Sequence, residues 1–261
     1  MNKNNDKIIE NEVDLPNGEA QNEWMELVKT VFWAVSLALL IRSVIAEPFN
    51  IPSGSMKPTL QVGDYLFVSK YSYGYSRYSF PLGIAPIQGR VWGEEPERGD
   101  VVVFKLPSDN KTDYIKRIIG MPGDRIQVRH GRLFINDEMM PRDFVAQKQV
   151  KDRFGHAAQM QQYRQTLPNG VSFMIYEEGD NGPLDNTKIF TVPDGEYFVM
   201  GDNRDNSQDS RVQHLVGSVP YQNLVGKAEF LFYSTNGHAA LHEFWKWPWT
   251  VRYDRLFTGI E

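Results

Sequence analysis

A single apolar stretch near the start, Leu27 to Ala46, constrains this chain more than anything after it, because 20 residues with only Lys29 and Arg42 charged can be hidden from water in few ways. Within it, Thr30 to Ile41 is an uncharged run of 12 residues. That run alone makes about 18 Å of helix, short of a bilayer core of about 30 Å. The flanks supply the remainder, since the full segment makes about 30 Å of helix and the long stems of Lys29 and Arg42 let their charges reach the interface. A helix buried in a soluble core is one alternative. A cleavable leader is another, because Val44-Ile45-Ala46 resembles a small-residue cleavage site. Secretory leaders, however, begin with a short basic region. Here residues 1–26 carry Lys3 and Lys7 against Asp6, Glu10, Glu12, Asp14, Glu19, Glu23 and Glu26. The expectation is an uncleaved transmembrane anchor over residues 27–46, preceded by an acidic, solvated tail over residues 1–26.

That tail accounts for the whole formal net charge of -5, and the remaining 26 basic and 26 acidic residues cancel. No basic excess is left to neutralise phosphates, so nucleic acid is not an expected partner. The chain has no cysteine, which excludes disulfides, thiolate metal sites and a cysteine nucleophile. After Pro48 the texture becomes short β-type runs between turn residues: Tyr65–Val68, Val101–Phe104, Tyr114–Ile119, Arg125–Val128, Arg132–Ile135, Tyr197–Met200 and Leu224–Tyr233. These predict a β-rich domain, with His130-Gly131 and Asn136-Asp137 as turns between neighbouring strands. Residues 141–190 are polar, Gln-rich and weakly periodic, and are expected to be an insertion.

Three segments hold residues suited to chemistry. In Ile51-Pro52-Ser53-Gly54-Ser55-Met56-Lys57-Pro58-Thr59 two prolines fix the backbone on either side and Gly54 allows a tight approach, so Ser55 can be presented on a rigid loop. A turn whose serines only bond to nearby backbone would read the same way. In Asp113-Tyr114-Ile115-Lys116-Arg117-Ile118-Ile119-Gly120, strand alternation places Lys116 and Arg117 on opposite faces, so one of the two bases must meet an apolar neighbourhood. A lysine serving as a base near neutral pH needs its pKa lowered by roughly three units, which burial can supply; arginine cannot do this. An edge strand with two solvated bases is the alternative. The third segment, Gly201-Asp202-Asn203-Arg204-Asp205-Asn206-Ser207-Gln208-Asp209-Ser210-Arg211, reads as a loop held by its own polar side chains, with Asp209 able to pair with Arg211. A calcium loop is excluded by Arg204 at the third ligand position counted from Asp202, and by the missing glycine and closing glutamate. His238 and His242 have helical spacing without the glutamate of a zinc protease, and no metal site is expected.

Taken in order, these three segments together with Arg98-Gly99-Asp100-Val101-Val102-Val103-Phe104 and Gly120-Met121-Pro122-Gly123-Asp124 closely resemble the bacterial type I signal peptidases. The resemblance runs from about Leu40 to Ala228, with a gap over residues 141–190. It implies a largely antiparallel β catalytic domain over residues 47–140 and 191–261, an inserted smaller β domain over 141–190, and a Ser/Lys dyad. Ser55 would be the nucleophile and Lys116 the general base. Ser53 and the Ser55 N–H would form the oxyanion hole, Ser207 would orient the lysine, and Asp202, Asp209 and Arg211 would brace the site. Ile51, Met56, Leu60 and Ile115 match positions lining shallow substrate pockets that accept an Ala-X-Ala pattern. The implied partners are secretory preproteins and the lipid bilayer, with no cofactor and no metal. The implied place is the bacterial cytoplasmic membrane, single-pass, with the catalytic domain on the outer side.

The aromatic segments Tyr71 to Trp92 and Trp245 to Trp249 suit a membrane surface, though core or turn packing would use the same residues. Two rivals keep part of the pattern. A self-cleaving Ser/Lys protease of the SOS-repressor type would carry a DNA-binding domain in place of the anchor. A tethered β domain that only binds partners would not need Ser55 or Lys116.

Overall fold

The computed structural model describes residues 17–80, 86–87, 89–151, 157–236 and 243–260, which divide into two compact units, Met1–Leu40 and Ile41–Glu261. His238 and His242 lie outside the described residues, as do residues 1–16 of the acidic tail.

One long helix, Asn17–Val44, contains the expected anchor but begins ten residues earlier than residue 27 and stops two short of Ala46. The early start follows from the helix formers Glu19, Ala20, Gln21, Glu23, Met25 and Glu26 after Pro16, which favour helix over the solvated coil that acidity alone suggested. The early stop follows from Pro48, before which the chain turns extended and enters the Ala46–Asn50 strand. Glu23–Val44 has a mean hydropathy of 1.7 and none of it is buried against protein. At about 33 Å this portion matches the thickness of a bilayer core. Trp24, Phe32, Trp33, Leu37 and Leu40 all remain exposed.

From Ala46 onward the described residues are mainly β structure joined by loops and short helical turns, and their strand pairs are antiparallel. The main sheet has eight strands. Seven follow the order Ala46–Asn50, Asp64–Ser69, Leu224–Ser234, Val101–Lys105, Asp113–Gly120, Glu196–Met200 and Val219–Pro220, and Thr258–Gly259 pairs with Leu224–Ser234. Each strand expected from sequence is present within about one residue of its expected bounds. Both expected turns are two-residue hairpins in which His130, Gly131, Asn136 and Asp137 all have positive φ, the twist that matches flanking strands.

Residues 141–190 supply strands that periodicity did not reveal. Arg142–Lys151, Ala157–Thr166 and Ser172–Glu177 form a three-stranded sheet, while Phe190–Thr191 joins Arg125–Arg129, Arg132–Ile135 and Glu138–Met139 in a four-stranded one. Arg142–Lys151 carries exposed residues along most of its length, so little alternation is demanded of its sequence. One apolar cluster unites Ile126, Leu133 and Ile135 with Phe173, Ile175 and Phe198, and so crosses residue 141. A second, containing Ile51, Met56, Leu60, Leu66, Val68 and Val101, lies under the serine-bearing loop.

Candidate active site

The loop after the Ala46–Asn50 strand is fastened to the core by its own apolar residues. Ile51, Met56 and Leu60 are buried, each contributing about 1.5–3 kcal/mol. Leu60 N donates to Met56 O at 2.9 Å and Lys57 N donates to Gly54 O at 3.2 Å, closing the turn that carries Ser55. Ser55 and Ser53 then border a cleft of about 900 Å³ whose lining also includes Ile51, Ile115, Lys116 and Ser207. Of the four apolar residues expected to line substrate pockets, Ile51 and Ile115 line this cleft. Met56 and Leu60 are fully buried in the cluster beneath and are not part of the lining.

Lys116 and Arg117 are both buried, where sequence alternation required only one to be. Their strand, Asp113–Gly120, is internal, pairing with Val101–Lys105 on one side and with Glu196–Met200 on the other. Residues 116–120 are all buried, so side chains on both faces of this part of the strand are covered. Lys116 Nζ donates to Ser55 Oγ at 2.8 Å and to Ile115 O at 2.8 Å, and lies 5.2 Å from the centre of the Tyr114 ring. Burial pushes its pKa down to about 8 against the opposing pull of Asp209 and Asp202. Arg117 takes the other course: Nε and Nη2 donate to Asp202 at 3.0 and 2.8 Å, and Nη1 donates to Gly99 O at 2.8 Å. Asp202 also accepts from Thr59 Oγ1 at 2.6 Å, which ties the serine loop to the Gly201–Arg211 loop.

Asp209 and Arg211 pair as expected, with Nε and Nη2 of Arg211 each 2.9 Å from a carboxylate oxygen. Burial would raise the Asp209 pKa, but Arg211 and the Gly201 N–H hold it below the ordinary carboxylate value. Ser207 is buried at the cleft, and Ser53 Oγ is 3.4 Å from Ser55 Oγ. Among the described residues no hydrogen bond joins Ser207 to Lys116, whose nitrogen is engaged by Ser55 and Ile115.

Three residues of the site escaped sequence reasoning. The close approach expected at Gly54 belongs to Gly201. A Cβ at Gly54 would meet only the movable Lys57 side chain, at 3.3 Å, whereas one at Gly201 would collide with Ser207 Oγ and lie 2.5 Å from Ser55 O. Asn203 donates through N to Ser55 O at 3.0 Å and through Nδ2 to Gly54 O at 2.9 Å. Arg117 was assigned no place in the site although it is the direct partner of Asp202. The density of Asp and Asn marked this loop as self-bonded, but nothing local to it signals a bond to a turn 149 residues away.

Comparison with known proteins gives the family. The signal peptidase family, peptidase S26, matches residues 24–233. A signal peptidase I of Rickettsia akari is 42% identical over 227 residues, covering 84% of this chain and 82% of its own. That of Rickettsia conorii is 40% identical over 261 residues, covering 94% of both. Among solved structures, a signal peptidase I from Enterococcus faecalis aligns at 26% identity over 51% of this chain and 97% of that one, with a TM-score of 0.30. With a match over most of its length and relatives at about 40% identity, this chain belongs to the signal peptidase family, peptidase S26.

Proposed function

We propose that this chain is a membrane-anchored serine endopeptidase that removes N-terminal signal peptides from exported preproteins after small residues of an Ala-X-Ala pattern, with Ser55 as nucleophile and Lys116 as general base. The observation that carries this reading is the 2.8 Å contact between Lys116 Nζ and Ser55 Oγ in a setting that lowers the lysine pKa to about 8. An amine so placed removes the hydroxyl proton as Oγ attacks the scissile carbonyl. The Ser55 N–H and Ser53 hydroxyl donate to the oxygen that becomes negative. The ammonium formed on Lys116 then delivers its proton to the leaving amine, and Lys116 activates the water that hydrolyses the ester on Ser55. Asp202, Asp209 and Arg211 keep the loops around the lysine in place, and Ser207 lies at the same cleft to orient the lysine once substrate is bound.

Residues 47–140 and 191–261 carry catalysis in this reading, and 141–190 are an insertion holding none of the named groups. The exposed apolar helix supports an anchor in the bacterial cytoplasmic membrane, crossing once with the catalytic domain outside. The cleft has apolar walls from Ile51 and Ile115, which suit apolar side chains such as alanine.

Detergent-solubilised full-length protein given a preprotein tests the reading. Ser55→Ala should lose at least about a thousandfold in cleavage rate while keeping the wild-type circular dichroism spectrum. Retention of a tenth of wild-type activity by that variant would exclude Ser55 as the nucleophile. Gly201→Ala should lose about a hundredfold in kcat, because the new methyl must displace Ser207 or the Ser55 backbone by about 1 Å. Peptide cleavage assayed beside thermal melting separates this from unfolding.

A further inference from the structure

The proposed nucleophile has two backbone neighbours under unusual control, and both are held by one side chain's residue. Asn203 is buried, following directly on Asp202 after the Glu196–Met200 strand. Its backbone N–H donates to Ser55 O at 3.0 Å, and its Nδ2 donates to Gly54 O at 2.9 Å. Gly54 O also accepts from Lys57 N at 3.2 Å, so both of its lone pairs are engaged. A peptide unit is planar and trans, with its N–H pointing opposite to its C=O. Fixing the Gly54 carbonyl therefore fixes the direction of the Ser55 N–H across the same plane. Among the described residues that N–H makes no hydrogen bond of its own, which leaves it available to the cleft that Ser55 borders.

Asn203 is in turn held firmly. It bridges to Tyr176 of the Ser172–Glu177 strand, and Tyr176 N donates to Asp202 O at 2.9 Å. The Oδ1 of Asn203 is buried without a hydrogen-bond partner, so the amide serves through its donor end. A buried carbonyl oxygen left without a partner is costly, which is consistent with the donor bond to Gly54 being what selects asparagine here.

We infer that Asn203 is a positioning residue for the oxyanion hole: it aims the Ser55 N–H at the developing oxyanion by clamping the Gly54–Ser55 peptide plane. This rests on the assignment of Ser55 as nucleophile. An oxyanion donor contributes only when negative charge develops, so loss of its aim lowers kcat and leaves ground-state binding of peptide alone.

The test is Asn203→Asp in the full-length chain in detergent, which keeps the side-chain shape and removes the donor. The expected result is a fall in kcat of about a hundredfold, with KM changed less than about threefold and the midpoint of the pH–rate profile unmoved. In a Ser55→Ala background, the affinity for an uncleaved signal-peptide analogue should be the same with Asn or Asp at 203. Ser53→Ala, which removes the other donor, should combine with Asn203→Asp less than additively in log kcat, because the two act on one oxygen. If Asp at 203 prevents folding, Asn203→Ala gives the same reading without an added charge. A kcat within threefold of wild type, or a loss matched by weaker peptide binding or by a moved pH midpoint, overturns the inference. If Ser55→Ala is itself active, the assignment of the nucleophile fails instead.

Discussion

Lys116→Met is expected to abolish cleavage, by at least about a thousandfold, and at the same time to make the protein more stable at neutral pH. The first effect follows from removing the proposed base. The second follows from where the amine sits: folding buries Lys116 and lowers its pKa from 10.5 to about 8, a difference equivalent to about 3 kcal/mol. The sign follows from proton counts. Between the folded value near 8 and the unfolded value near 10.5 the unfolded chain binds more protons at this site, so wild-type stability rises with pH across that window. Below pH 8 the burial cost is present in full, and above about pH 10.5 it is gone. Methionine has similar length, no charge and no titration, so it escapes the cost, although it leaves Ser55 Oγ and Ile115 O without the lysine as donor. The stability advantage of Lys116→Met should therefore be greatest at pH 7 and shrink as the pH climbs from 8 toward 10. Other groups titrating in that range are common to both proteins and cancel in the difference. Chemical denaturation of both proteins at a series of pH values measures it; a difference that does not change with pH would mean that folding does not lower the Lys116 pKa. Wild-type kcat/KM should rise about tenfold between pH 7 and 9, as the neutral fraction of a group with a pKa near 8 grows.

How legible all this was in the sequence depended on whether a residue's partner was close along the chain. Five of the eight strands of the main sheet could be read, because runs such as Val101–Lys105, Glu196–Met200 and Leu224–Ser234 are apolar and bounded by turn residues. Ala46–Asn50, Val219–Pro220 and Thr258–Gly259 are short edge pieces that each contain a Pro or a Gly, and they carry no such signal. The hairpins at His130-Gly131 and Asn136-Asp137 could be read because positive φ selects those residue types. Ser55 and Lys116 stood out through the residues around them and through family resemblance. Arg142–Lys151 and Ala157–Thr166 could not be read as strands because neither is covered along one whole face, so no period of two is imposed on them. Gly201 and Asn203 were missed for a different reason. What makes each necessary is a contact with the Gly54–Ser55 backbone, and a backbone atom leaves no mark on the sequence of the segment that approaches it. The burial of Arg117 escaped because alternation says which face a side chain takes, and what covers that face, here Asp202 and the Phe173 ring, comes from segments distant along the chain.

Asp202→Ala should be the most destabilising single change at this site, and its effect should be opposite in sign to that of Lys116→Met. Arg117 is fully buried and its charge is answered by Asp202, which receives both Nε and Nη2. Removing the carboxylate leaves a guanidinium that cannot shed its proton as lysine can. It also leaves Thr59 Oγ1 without its acceptor, and with it a tie between the serine loop and the loop bearing Ser207. Breaking a buried pair in this way costs about 3–5 kcal/mol, which for a domain of this size lowers Tm by roughly 10 °C. Differential scanning calorimetry of the detergent-solubilised variant measures the shift, and a Tm within 2 °C of wild type would show that Asp202 does not neutralise Arg117 in the folded protein. Two adjacent cations on one strand thus have different surroundings: Arg117 is paired with the Asp202 carboxylate, while Lys116, with no carboxylate in hydrogen-bond contact among the described residues, has its pKa lowered by burial to about 8, as the proposed role of general base requires.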